Sequence, residues 1–399
     1  MKVLILTTDA GGGHRSVAKA LAAGFAEIGG GQCSTQIVDY LARYAPFPLS
    51  HTRQLYSFFM RHPPLWGLVF SSTNQRYQRD GGAPAVGLAM QAGVARLLKE
   101  HRPDVIIATH PLAAPALNAL LRQRRHSVPY YTVVTDFGGV HTWWSYPFGE
   151  LWFAPCHQTA RHLARSGVPR GRIVVSGYPV HPQFARPAQS KAELRVALGL
   201  EPDRFTVLLM GGAEGVGPLE AIVDALAGTP APWQLIVVAG RNRILKERLD
   251  AQAGRRAIPV HVDGLVEDMP SRMWAADLLL SKGGPATLSE GVVCGLPALV
   301  TNVLPGQEED DVAHFERLGV ARRVSDPAAL RAAVAELAAP GSPQLSAMRA
   351  GLGQAAVPTA ALDIARTVLN RGTVLTASPV SPFFWLRPRR LRMASKSSG

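Results

Sequence analysis

The chain of 399 residues carries 42 lysines and arginines against 29 aspartates and glutamates, a formal net charge of +13, with a sequence pI of about 10.1. Hydrophobic residues make up 47%, which excludes a disordered chain and is enough for two cores at roughly 100–200 residues per domain. The positive balance favours anionic partners, although a merely arginine-rich composition gives the same net charge, and the sequence lacks the zinc-finger spacing and RNP-like aromatics that would point to nucleic acid.

Residues 1–7 read as a buried parallel strand. Gly11-Gly12-Gly13 then turn the chain into a helix over about 15–28, where Val17, Leu21 and Phe25 recur at helical spacing. Further strands are expected at 37–38, 104–109, 130–135, 151–154 and 173–176. The Pro-containing stretch 182–190 reads as a linker, after which the pattern restarts with strands at 206–210, 234–239, 259–262, 278–280 and 298–301. Glycine follows several of these strands, where open α/β sheets bind ligands. The fold class is therefore α/β, two Rossmann-like doubly wound parallel sheets. The first domain is expected over 1–181 and the second over 191–372. Residues 342–370 read as helix interrupted near Pro358. The tail, 373–399, joins Phe383, Phe384 and Trp385 to four arginines and reads either as an anionic-interface segment or as a flexible basic end.

The three cysteines, Cys33, Cys156 and Cys294, lie far apart and show no metal spacing or disulfide framework. A reducing cytoplasm and no bound metal are expected. The apolar run at 3–6 is too short for the core of a signal peptide, and no stretch reaches the roughly 20 apolar residues of a membrane span. If the protein works on lipid, it is expected to be peripheral, on the inner face of the cell membrane.

Four constellations carry chemistry. Asp9 to His14 lies at a strand-to-helix turn, where glycines admit a ligand to the backbone and the helix N-terminus favours an anion. His14 at its mouth is placed to take a proton. Taken alone, the turn reads rather as a plain one with His14 as an incidental cap, since glycine loops of this kind are common. Thr135-Asp136 through His141, Trp143 and Trp144 puts an acid, a histidine and aromatics after a strand, which suits a sugar or headgroup site or, more plainly, a cap and a core. Ser281 to Glu290 again gives strand, glycine loop and helix, a cradle for a diphosphate with Glu290 one turn in for a ribose. Pro305 to Asp311 offers amide and acidic groups for sugar hydroxyls, or an ordinary acidic turn.

In order, these segments resemble the monogalactosyldiacylglycerol synthase family: Gly-Gly-Gly-His at 11–14, Val-Thr-Asp-Phe at 134–137 with His141 and Trp143, Lys-Gly-Gly-Pro-Ala-Thr-Leu-Ser-Glu at 282–290, and Pro-Gly-Gln-Glu-Glu at 305–309. They are also similar to processive diacylglycerol glucosyltransferases and, more distantly, to the enzyme that adds N-acetylglucosamine to lipid-linked peptidoglycan precursors. The resemblance runs from Met1 to about Arg323. It implies a GT-B fold and an inverting transfer of galactose or glucose from a UDP-sugar to diacylglycerol or a related lipid, with no cofactor or required metal.

It further implies that Gly211 and Gly212 approach the nucleotide, Val266 the uracil, Gly284, Pro285 and Thr287 the phosphates, Glu290 the ribose, and Gln307 and Glu308 the donor sugar. His14 is implied as base, with Asp136 and His141 on the acceptor side beside Gly12 and Gly13. Ala286 and Asp311 stand where the family usually has Gly and commonly Asn, which bears on donor choice. Phe58, Phe59 and Trp66, among Arg53 and Arg61, together with Trp143 and Trp144, are expected at an anionic membrane surface, with a core helix over 53–66 as the alternative. A UDP-sugar 2-epimerase, a non-catalytic nucleotide-sugar binder and a transferase for a sterol or isoprenoid acceptor stay open. So does the oligomeric state.

Overall fold

The computed structural model describes residues 1–9, 12–75, 78–124, 128–306 and 308–376. The expectations for Gln307 and for the basic aromatic tail beyond residue 376 lie outside the described residues. Twelve strands form two six-stranded sheets in which every pairing is parallel. The first contains β1 (Lys2–Thr7), β2 (Ser34–Asp39), β3 (Val105–Ala108), β4 (Tyr130–Val133), β5 (Leu151–Ala154) and β6 (Ile173–Val175), in the order β2-β1-β3-β4-β5-β6. The second contains β7 (Phe205–Met210), β8 (Trp233–Val238), β9 (Val260–Asp263), β10 (Leu278–Lys282), β11 (Ala298–Asn302) and β12 (Ala321–Arg323), in the order β12-β11-β10-β7-β8-β9.

The central strands are mainly apolar because helices cover both faces of each sheet: every residue of β3, VIIA, and of β8, WQLIVV, is buried, and Gln234 in β8 donates to the Glu201 carbonyl and Thr206 Oγ1. The strand order decides where a ligand can sit. The chain reverses direction across the first sheet between β1 and β3, and across the second between β7 and β10. At such switch points the connecting helices leave to opposite sides and open a crevice at the carboxyl ends of the strands. The segments leaving those four ends are Gly12-Gly13-His14, Thr109-His110, Gly211-Gly212 and Gly283-Gly284.

Two further elements shape the cleft. Helices Thr52–Arg61 and Pro63–Thr73 form a hairpin whose Leu55, Phe59, Trp66 and Phe70 line the cleft. It is not a core helix: Phe58 is 49% exposed and Leu68 66%, and Leu55 and Leu65 are also exposed. The last helix, Ala360–Thr376, leaves the second half and packs on the first helix, Gly13–Gly29. Ile364, Ala365 and Val368 are fully buried in one cluster with Val17, Leu21 and Phe25. The approach is close enough that a Cβ on Gly24 would lie 2.7 Å from the Ala361 carbonyl oxygen.

Candidate functional site

The two switch points open into one cavity of about 530 Å³ between the halves. Its floor is built from helix starts. The first helix begins at Gly13 behind Gly12, whose φ of +85° suits glycine and which offers no side-chain cap. Helix Pro285–Val293 begins behind Gly284, again without a side-chain cap. An α-helix leaves its first amides unpaired, and Pro285 at the first position has none to lose, so the Ala286 and Thr287 amides are available to an anion. Neither first turn contains an acidic residue. The loops meet closely: a Cβ on Gly12 would lie 3.3 Å from that of Ala213, and one on Gly13 3.6 Å from that of Ala286.

On the first-sheet side, His14 Nδ1 lies 3.2 Å from Thr135 Oγ1, and the His14 carbonyl accepts from Thr109 Oγ1 at 3.1 Å. The ring meets His110 edge-on at 5.0 Å between centroids. Burial lowers the His14 pKa to about 4, against a hydrogen bond at Thr109 that raises it. At neutral pH it is therefore an uncharged imidazole, the form a base requires. Asp136 is buried and accepts from Trp144 Nε1 at 2.6 Å; burial raises its pKa to about 6 despite that bond. His141 caps the turn Thr142–Ser145, contacts Thr73 Oγ1 through Nε2 at 3.2 Å and packs edge-on against Phe70. Its bonds fix the helical hairpin to this turn, and burial lowers its pKa to about 4.

On the second-sheet side, Glu290 Oε1 accepts from Ser16 Oγ at 2.7 Å, across the cleft from a residue 274 positions earlier. Burial raises Glu290 to about 7, opposed by that bond. Glu308 is held by Lys282 Nζ at 2.7 Å on Oε1 and by the Leu304 amide at 3.0 Å on Oε2. Burial disfavours the Lys282 charge, but Glu308 outweighs it and raises the pKa, with Tyr56 of the hairpin adding to the effect.

The cavity thus gathers His14, Asp136, His141, Gly12, Gly13, Gly212, Val266, Gly284, Pro285, Thr287, Glu290 and Glu308, with Phe59, Trp66, Trp143 and Trp144. Two placements differ from expectation. Gly211 is not on the cavity wall; a Cβ there would strike the Val216 carbonyl oxygen at 2.3 Å, so it serves the tight turn. Trp144 is 1% exposed and locked to Asp136, so it is not on an interfacial loop. Phe58, by contrast, is exposed outside the cavity, as a side chain of a docking surface would be. Sequence reasoning missed Ser16, Tyr56, His110, Thr135 and Lys282, which all line the cavity. Of these only Lys282 and Thr135 stood inside a quoted motif.

A family model described as monogalactosyldiacylglycerol (MGDG) synthase matches residues 14–180. The chain is 32% identical over 373 residues to the monogalactosyldiacylglycerol synthase, chloroplastic, of Spinacia oleracea, covering 91% of this chain and 71% of that one. Among solved structures it is similar to Acinetobacter baumannii MurG, with a TM-score of 0.59, 16% identity and coverage of 92% and 99%. It is also similar to Anabaena Alr3699/HepE in complex with UDP-glucose, with a TM-score of 0.54, 17% identity and coverage of 93% and 100%. The fold is GT-B.

Proposed function

The chain belongs to the monogalactosyldiacylglycerol synthase family, and from that premise we propose that it transfers a hexose from a UDP-sugar to diacylglycerol, with UDP-galactose the first donor to try and UDP-glucose the competitor. It is a glycosyltransferase. The observation that carries the acceptor is the apolar wall: Leu55, Phe59, Val69, Phe70, Val86 and Leu112 line the cavity beside His14. A lipid alcohol buries its chains on such a wall, whereas a free sugar uses only its aromatic rings and leaves Leu55, Val69, Val86 and Leu112 without a partner.

In this reading residues 1–181 form the acceptor domain and 191–372 the donor domain, joined by 182–190. Amides at the start of helix Pro285–Val293 hold the diphosphate, Glu290 takes the ribose in place of Ser16, and Glu308 takes the sugar. His14 removes the proton of the acceptor hydroxyl. That oxygen bonds to the anomeric carbon from the face opposite UDP as the carbon–oxygen bond to the β-phosphate breaks, and the electron pair leaves on UDP. Among the described residues, no group of three or more His, Cys, Asp or Glu is placed to hold a metal ion. The family resemblance, rather than that absence, supports a metal-independent reaction, and turnover in excess EDTA should then equal that in magnesium.

Among the described residues no helix is long and apolar enough to cross a membrane. The exposed Phe47, Leu55, Phe58, Leu65 and Leu68 support docking on a lipid surface, which we read as the anionic inner face of the cell membrane. The test is incubation with UDP-galactose or UDP-glucose and vesicles of diacylglycerol and phosphatidylglycerol, following UDP release and glycolipid mass. A hexosyl-diacylglycerol supports the reading; free sugar with no glycolipid sinks it.

A further inference from the structure

The segment after β4 is shared between the two halves of the molecule. Thr135 meets His14 and Asp136 meets Trp144, both on the acceptor side. The next two residues turn to the donor side. The Phe137 and Gly138 amides donate to one oxygen, Asp311 Oδ1, at 2.7 and 2.9 Å. The Phe137 ring stacks on His314 at 4.7 Å between centroids and meets Phe315 edge-on at 4.8 Å. Gly138 lies so close to the same helix that a Cβ would fall 2.5 Å from the Asp310 carbonyl oxygen. Helix Glu308–Arg317 therefore grips the segment with a carboxylate, two aromatic contacts and a glycine fit. Its first residue, Glu308, holds Lys282 in the donor half of the cavity, one turn before Asp311.

We propose that Asp311 is a positioning residue of the glycosyl transfer: from the donor domain it fixes the Thr135–Gly138 segment of the acceptor domain, so that His14 and Asp136 reach working geometry only with the cleft closed. This rests on the assignment of His14 and Glu308 to the reaction made above. The same helix turn then reports on both substrates, through Glu308 to the donor sugar and through Asp311 to the group beside the acceptor.

The chemistry of the buried acid fits that role. Asp311 has no exposed surface, and its Oδ2 has no hydrogen-bond partner among the described residues. Burial first, then the nearby Asp136 charge, pushes its pKa well above the carboxylate range, against the two amide bonds that lower it. A neutral acid presents one carbonyl oxygen to the two amides, as the amide of Asn does. Alanine presents nothing and strands both donors. Merely holding the halves together would not need this specific oxygen, because Phe137, His314 and Phe315 already pack there.

The test compares Asp311→Ala, Asp311→Asn and Gly138→Ala with the wild type for kcat, UDP affinity and hydrogen exchange at the Phe137 and Gly138 amides. Asp311→Ala should lower kcat about tenfold to a hundredfold, the scale of a misplaced catalytic group, leave UDP affinity within about twofold, and speed exchange at both amides. Asp311→Asn should keep kcat within about threefold and keep both amides protected. Gly138→Ala forces the segment off the helix without touching Asp311 and should match Asp311→Ala; it carries the test if that variant does not fold. Wild-type kcat in Asp311→Ala or Gly138→Ala overturns the proposal. So does an Asp311→Asn variant as slow as Asp311→Ala, or loss of kcat and UDP affinity in step. If the wild type itself makes no glycolipid, the functional reading has failed, and the amide exchange still decides whether Asp311 holds the segment.

Discussion

Replacing His14 with alanine tests the chemistry most directly. The imidazole lies at the cavity wall with Nδ1 on Thr135 and a pKa of about 4. At pH 7 it is almost wholly unprotonated, so none of its capacity is lost to protonation. A base that weak takes a proton less readily than an ordinary histidine. General-base groups contribute roughly 10²–10⁴-fold, and this one belongs toward the lower end, about 10²-fold, or about 3 kcal/mol of barrier. The assay is initial-rate UDP release with diacylglycerol vesicles at saturating donor, with UDP binding measured separately by calorimetry. Binding should hold, since the ribose and diphosphate contacts assigned above lie in the other half. The ratio of wild-type to variant rate should stay level between about pH 6 and 8, because His14 does not titrate there. Added imidazole, entering the space the side chain vacates beside the cavity, should restore part of the rate. A loss below about fivefold, or a parallel loss of UDP affinity, would refute the assignment of His14 as base.

Three further outcomes follow from packing and burial. Gly24→Ala gains up to about 1 kcal/mol of helix propensity but places a Cβ 2.7 Å from the Ala361 carbonyl oxygen, an overpacking that costs about 1–3 kcal/mol. The melting temperature should fall, and a rise would show that the last helix is not clamped there. Phe58→Glu with Leu68→Glu removes two exposed apolar groups, each worth about 1.5–3 kcal/mol if buried, and should weaken sedimentation with phosphatidylglycerol vesicles by tenfold or more while soluble UDP binding is unchanged. Equal sedimentation would remove the hairpin from the docking surface. The folded-state pKa of Asp311 is raised, so its contribution to stability is full below the unfolded-state pKa and is lost as pH rises through the folded value. Asn does not titrate. The melting temperature of Asp311→Asn minus that of the wild type should therefore grow as pH rises above the unfolded-state pKa, and a constant difference would contradict the buried neutral acid.

Much of this was legible because parallel strands announce themselves. Runs such as Val-Ile-Ile-Ala at 105–108 are apolar on both faces and end at small or polar residues. β12 escaped notice because Ala-Arg-Arg buries only its first residue, an edge strand too short to show a pattern. The glycine loops were readable as loops. Their partners were not, since those depend on which strands lie side by side. Thr109 and Thr135 reach His14 only because β1, β3 and β4 are neighbours in that order. Contacts across the cleft have no sequence signature at all: Ser16 finds Glu290, and Asp311 finds Phe137 across 174 positions. The sequence put Asp311 beside the donor sugar; in the fold it faces the other domain. Trp143 and Trp144 look alike on paper, but the tight turn Thr142–Ser145 separates their surroundings, and the second is buried on Asp136.

The return of helix Ala360–Thr376 to the first helix has a consequence for synthesis. The apolar stripe of Val17, Leu21 and Phe25 leaves the ribosome well before Ile364, Ala365 and Val368, which share its cluster. Domains tend to fold as they emerge, amino-terminal first. The first half's own sheet, through Val3, Ile5 and Ile107, can cover part of that stripe at once, but the part under the last helix waits until residue 368 has been made. During that interval the nascent protein is a client for chaperones or for the bilayer, and a stalled or truncated product would remain one.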